Sequence, residues 1–179
     1  FIGVGGISMS SLAAMTQKRG YTVSGSDRSR TPLTEKLEAS GIRIIYGHKA
    51  ESVMDADIVV YTVAIDAENP EYVAASQSGI PCISRADYLG YLMMEFTVRI
   101  GISGTHGKST TTAMCASILM RMGLDPTVLC GAELPCLNNS AFHCGDNNEY
   151  IVFEACEYRD SFLDFFPNVA VILNVELDH

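Results

Sequence analysis

Short apolar runs rich in β-branched residues alternate with segments whose apolar residues recur every three or four positions, and the alternation runs the length of the chain. Phe1–Val4 reads as a strand, Leu12, Ala13 and Met15 as one face of a helix ending near Gly20, and Tyr21–Ser24 as a strand closing on Gly25-Ser26-Asp27. Thr31-Pro32 starts the next helix, with threonine able to cap and proline suited to the first helical position. Leu33 and Leu37 share a face before Gly41 stops that helix. Strands are expected at Ile42–Tyr46, Asp57–Ile65 and Ile80–Ile83, with helices from Asn69-Pro70 and over Arg85–Phe96. A second unit begins near Thr97, where Val98 and Ile100 lead into a glycine-rich turn, and Met114, Ile118, Leu119 and Met122 recur at helical spacing. Gly123-Leu124-Asp125-Pro126 is a stop, Thr127–Cys130 a short strand, and Tyr150–Glu154 and Asn168–Val175 are buried strands. The connection Gly131–Asn148 is long enough to be functional or mobile.

Strands alternating with helices define an α/β protein whose parallel sheets are covered on both faces and whose ligands lie at the carboxyl ends of the strands. Two units follow: a Rossmann-like domain over 1–96 and part of a P-loop ATPase domain over 97–179.

The strongest chemical signal is Gly101–Thr112, GISGTHGKSTTT, placed between a strand and a helix. In a phosphate-binding loop, backbone amides converge on phosphate oxygens, a lysine reaches the terminal phosphates and a hydroxyl holds Mg²⁺. Here those roles fall to Gly104, Thr105, His106 and Gly107, to Lys108, and to Ser109 with Thr110. The spacing departs from the usual pattern, because Ile102 stands at the first glycine position. An ordinary glycine-rich turn is the alternative, and the Gly-Lys-Ser triplet speaks against it.

A second glycine turn, Gly3-Val4-Gly5-Gly6-Ile7-Ser8, opens a strand-helix-strand unit, with Asp27 about 20 residues on, where a ribose hydroxyl would be met. Ser8 stands in place of the third glycine of a dinucleotide fingerprint. Gly5 and Gly6 could instead serve only a tight turn, and Asp27 only a loop cap. His48, Thr62 and Arg85 also fall at strand ends. A guanidinium such as that of Arg85 matches phosphate geometry. Glu154 and His179 end the last two strands and bring a carboxylate and an imidazole to the region where Mg²⁺ ligands are expected.

Composition narrows the field. With 179 residues, 47% hydrophobic and 18% charged, a sizeable core is available. A net charge of -9 with scattered basic residues argues against a nucleic-acid surface. No apolar run approaches the roughly 20 residues that span a bilayer, and no basic-then-apolar leader is visible, so a soluble cytoplasmic protein with no membrane insertion is expected. The six cysteines, Cys82, Cys115, Cys130, Cys136, Cys144 and Cys156, form no CxxC pair and read as buried free thiols. Cys136, His143 and Cys144 lack the second ligand pair of a zinc site. Both ends look like cuts in a longer protein.

Together, Gly3-Val4-Gly5-Gly6-Ile7 with Met9-Ser10, Gly104-Thr105-His106-Gly107-Lys108-Ser109, Glu154-Ala155-Cys156-Glu157 and Asn174-Val175-Glu176-Leu177-Asp178-His179 resemble the Mur ligases of peptidoglycan synthesis over the whole chain. His106, Asn69-Pro70-Glu71 and Arg85-Ala86 favour the branch that joins L-alanine to UDP-N-acetylmuramate. The resemblance implies a UDP-sugar domain, a central ATPase and a C-terminal amino-acid domain absent here, with ATP and Mg²⁺ required. It implies amide formation through an acyl phosphate, and no ligase activity for these residues alone. By this resemblance Lys108, Glu154 and His179 are catalytic, Ser109, Glu154 and His179 hold metal, and Asp178 orients His179. Asn174 lies near the nucleotide. Gly5, Gly6, Ile7, Ser8, Met9, Ser10, Asp27, His48, Thr62 and Arg85 meet the UDP-sugar. The departures are Ser8 for glycine, Ser109 for threonine and Cys156 for aspartate, the last expected in the core. A tripeptide-recycling ligase of the same family, a nicotinamide-dependent oxidoreductase and a non-catalytic nucleotide-binding module are the rival readings.

Overall fold

The computed structural model describes residues 1–155 and 165–176. The chain divides into two compact units, Phe1–Tyr88 and Leu89–His179.

In the first unit, α1 (Ile7–Lys18), α2 (Pro32–Ala39), α3 (Pro70–Gln77) and the start of α4 (Arg85–Met93) alternate with β1 (Ser24–Asp27), β2 (Arg43–Tyr46), β3 (Val59–Tyr61) and β4 (Cys82–Ser84). β1 pairs with β2 and β3 with β4, all parallel. Ile2 joins the pairs, bridging in parallel to Ser26 on one side and Tyr61 on the other. The spatial order is therefore β2, β1, the Ile2 segment, β3, β4, in which the order of strands reverses at the Ile2 segment. Ligands of open α/β sheets bind at the carboxyl side of such a reversal. One apolar cluster joins Val4, Ala13, Val23, Leu37 and Ile42. Another joins Ile2, Val53, Val59 and Ala75.

Caps start the helices where expected. Thr31 and Thr34 form a reciprocal capping box on α2, with Pro32 inside the first turn. Asn69 accepts from the amides of Glu71 and Tyr72 to start α3. Strand limits differ from expectation. The second strand is Ser24–Asp27, later than Tyr21–Ser24, because Ile2 pairs with Ser26 and bare Gly25 admits Val4, whose Cγ1 lies 2.7 Å from where a Cβ would stand. The run Asp57–Ile65 contributes only Val59–Tyr61, since Thr62 caps a turn through Ile65. The strand expected at Ile80–Ile83 is Cys82–Ser84, starting two residues later.

The second unit holds the rest of α4 and a sheet of β5 (Val98–Ser103), β6 (Thr127–Leu134), β7 (Ser140–His143), β8 (Tyr150–Glu154) and β9 (Val169–Ile172), ordered β7-β6-β8-β5-β9. β5 runs parallel to β8 and β9. The stretch expected as a long connection folds as a hairpin: β6 extends to Leu134, a 3-10 turn covers Pro135–Leu137, and β7 returns antiparallel. Its turn passes through Asn138 and Asn139, both at φ 56, a left-handed conformation asparagine tolerates. The helix α5 (Lys108–Arg121) packs through Ala116 on Val128, Cys130, Leu134 and Leu137. Ile102, Ile151, Val152 and Phe153 are fully buried.

The described cysteines are free, as expected, but only Cys130 is buried and Cys136 is exposed; Cys156 lies outside the described residues. Among the described residues no helix is long and apolar enough to cross a membrane.

Candidate functional site

In the first unit each strand of the parallel sheet delivers a residue to one cavity of about 430 Å³. Gly6 follows the Ile2 segment, Asp27 ends β1, His48 follows β2, Thr62 follows β3 and Arg85 follows β4. Ile7, Ser8 and Met9 line it from α1, and Arg85 Nη1 donates to Ser8 Oγ at 3.1 Å. Gly5 and Ser10 do not line the cavity. The amide of Gly5 donates to Asp27 Oδ2 at 2.7 Å, and Ser10 Oγ donates back to the Ile7 carbonyl at 2.9 Å. Asp27 thus fastens the glycine turn while its β1 position keeps it on the cavity wall. A Cβ on Gly5 would stand 2.7 Å from Asp27 Oδ2, so the turn requires glycine there. Gly6 has nothing within 4 Å of its missing Cβ and leaves open space at the helix start.

Sequence reasoning missed Arg28, a second guanidinium on the cavity wall, and the groups behind His48. His48 Nδ1 lies 2.7 Å from Glu71 Oε2, which also accepts from Ser26 Oγ at 2.5 Å. The adjacency of Arg28 to Asp27 was a usable signal; Glu71 sits on a helix remote in sequence, and nothing local marks it.

In the second unit, β5 passes through Gly104 at φ 143 and Gly107 at φ 86 into α5. Both conformations favour glycine, and at Gly104 a Cβ would also stand 3.1 Å from Leu173 Cβ. Lys108 Nζ curls over the loop to donate to the carbonyls of Gly104 at 2.6 Å and Thr105 at 3.3 Å. Asn174 clamps the loop tip: its Oδ1 accepts from His106 N at 2.9 Å and its Nδ2 donates to His106 O at 3.0 Å. The Thr105 amide turns to the Asn174 carbonyl. Of the amides across Gly104–Gly107 expected to face phosphate, those of Thr105 and His106 donate here to Asn174. At the start of α5 the amides of Ser109 and Thr110 have by position no carbonyl in a preceding turn. Asn174 touches the loop itself. The His106 imidazole is exposed, 3.9 Å from Glu176, a pair of little energetic weight.

Glu154 ends β8 opposite Ile102 of β5, so pairing brings its carboxylate to the strand that feeds the loop. Cys130 lies by the expected metal ligands: its Sγ donates to Glu154 Oε1 at 2.6 Å, and the nearby Ser109 hydroxyl favours the thiolate slightly. Burial first, and the Glu154 carboxylate next, push the Cys130 thiol up to about 11, so it stays protonated at neutral pH. A hydroxyl and a carboxylate are the hard oxygen donors that suit Mg²⁺, and a lysine over a glycine loop suits a nucleoside triphosphate. The residues present fit both groups. His179 and Asp178 lie outside the described residues, as does Cys156.

The chain thus carries two α/β modules, a Rossmann-like unit with a cavity at its strand reversal and a glycine-loop unit with a hydroxyl and a carboxylate beside one thiol. The chain belongs to the Mur ligase family: residues 1–97 match the family's "Mur ligase family, catalytic domain" and residues 102–179 its "Mur ligase middle domain". It is 47% identical over all 179 residues to a UDP-N-acetylmuramate--L-alanine ligase of Clostridium botulinum, of which it spans 39%. Its fold matches the UDP-N-acetylmuramate-alanine ligase of Thermotoga maritima with a TM-score of 0.90 and 36% identity, covering 100% of this chain and 41% of that one. It also matches a UDP-N-acetylmuramate:L-alanyl-gamma-D-glutamyl-meso-diaminopimelate ligase from Neisseria meningitides at 0.84 and 30% identity, covering 99% of this chain and 60% of that one. Family membership displaces the oxidoreductase reading of the N-terminal turn.

Proposed function

We propose that this chain is the N-terminal part of a ligase that joins L-alanine to UDP-N-acetylmuramate at the expense of ATP, in peptidoglycan biosynthesis in the cytoplasm. The observation that carries this reading is the 47% identity, sustained from the first residue to the last, with an L-alanine ligase. Residues 1–96 bind the UDP-sugar, and 97–179 begin the ATP domain.

The lactyl carboxylate of the sugar attacks the γ-phosphate and ADP leaves, and the amine of L-alanine then displaces phosphate from the acyl phosphate. Both carboxylate and phosphate are anionic, so approach needs cations. The Lys108 ammonium leaves its loop carbonyls to neutralise the transferring phosphoryl group. Ser109 and Glu154 would hold Mg²⁺, and His179, by the family resemblance, would help hold a second ion. Bound Mg²⁺ supplies charge neutralisation between carboxylate and phosphate. Ser109 and Thr110 amides at the α5 start receive phosphate oxygens. In the first unit, Arg28, Arg85 and His48 face the diphosphate across the open space at Gly6.

The test is ATP consumption by the full-length protein with UDP-N-acetylmuramate and either L-alanine or L-alanyl-γ-D-glutamyl-meso-diaminopimelate. Turnover with alanine and not the tripeptide is expected. Turnover with the tripeptide alone would assign the protein to the recycling ligases, which the likeness to the Neisseria enzyme makes the specific rival.

A further inference from the structure

Glu71 is the one charged side chain fully buried among the described residues, at 0% exposure. A carboxylate in that position must be met by donors. Its Oε2 receives two, from Ser26 Oγ at 2.5 Å and His48 Nδ1 at 2.7 Å. Its Oε1 is sealed without a partner. Asn69 anchors the backbone of Glu71 in the first turn of α3, where the helix field favours negative charge. His48 reaches from this buried carboxylate to the cavity wall, its side chain 13% exposed.

The set holds a serine, a histidine and a carboxylate but is not a nucleophilic triad. Ser26 and His48 both converge on Glu71, and the hydroxyl meets the ring only at Nδ1, at 3.4 Å, and not at the far nitrogen. What the arrangement does is fix a ring. Because Nδ1 is engaged by a carboxylate acceptor, Nε2 is the nitrogen left for the cavity. A diphosphate oxygen can only accept, so in a complex both ring nitrogens donate, one inward and one to the ligand. The charged groups facing the ring are Glu71 from α3 and, on the cavity wall, Asp27, Arg28 and Arg85.

We propose that Glu71 is a positioning residue of the nucleotide-sugar site, which holds His48 so that its Nε2 donates to the diphosphate. This rests on the UDP-sugar reading of the first unit. The experiment measures UDP-N-acetylmuramate affinity of the full-length protein as wild type, E71Q, H48Q and the double variant, with nitrogen-15 spectra of His48 in the complex. Glutamine at 48 places an amide donor near the Nε2 position without needing the carboxylate. Loss of about tenfold in affinity is expected for E71Q in the wild-type background, and none in the H48Q background, with kcat at saturating sugar and the KM for ATP unchanged. A merely structural role would give the same loss in both backgrounds and would overturn the proposal, as would unchanged affinity in E71Q. Protons on both nitrogens are expected in the wild-type complex; a bare Nδ1 there overturns the proposal whether or not E71Q folds. Failure of the wild type to bind the UDP-sugar would instead sink the parent reading.

Discussion

The chain uses the same device twice, a strand running through glycines into a helix, and equips the two copies differently. At the start of α5 the cation is local: Lys108 is the first helical residue, and Gly107 before it is forced left-handed at φ 86. At the start of α1 no basic residue is near in sequence, and Gly6 has an ordinary extended backbone, φ -75 and ψ 149. The first cavity borrows its basic side chains from other strand ends, Arg28 after β1, His48 after β2 and Arg85 after β4. The fastenings differ as well. The first turn is tied by a carboxylate, Asp27, and the second by a neutral amide, Asn174, which leaves the charge at the loop to Lys108. On the proposed function, the helix start that would meet the reacting phosphate carries its own cation, whereas the one that would grip a diphosphate shares the work among loops.

The comparison breaks most sharply at Lys108. K108A in the full-length protein should lower ATP-dependent turnover by about 10²–10³-fold while UDP-sugar affinity, read by calorimetry, stays unchanged. Next come the two glycines. G6A meets nothing within 4 Å and should fold with an unchanged Tm, yet its methyl intrudes where the diphosphate approaches and should weaken UDP-sugar binding about tenfold, roughly 1.4 kcal/mol. Equal binding by G6A would remove the diphosphate from that turn. Asn174→Ala removes both bonds to His106 and should destabilise the loop by about 1–3 kcal/mol, seen as a raised KM for ATP and faster amide exchange at 104–107. The smallest effect tests the scaffold alone: T31A unmakes the α2 capping box and should cost about 1 kcal/mol of stability with both substrate affinities intact.

The alternation of elements and the glycine turns were legible because they are written in neighbouring residues: Thr31-Pro32 and Asn69-Pro70 are caps in the sequence and caps in the structure. Strand limits were less so, because pairing partners set them. Ser24–Asp27 has little intrinsic strand preference and is a strand because Ile2 and β2 flank it. The hairpin inside 131–148 was hidden by its asparagines and glycines, which read as loop, although Asn138 and Asn139 in fact supply the left-handed turn.

Local chemistry therefore came from the sequence by itself: Lys108 must stand at a helix start, Gly104 and Gly107 must bend a chain, and two α/β units must follow one another. Tertiary structure decided which groups meet. It placed Cys130 between Ser109 and Glu154, spread the Asn174 amide across the loop tip, and buried Glu71 behind His48. Conformational preference acts over a few residues and can be read along the chain, whereas pairing of buried polar groups is a demand of the folded interior that any distant residue with the right donor can answer.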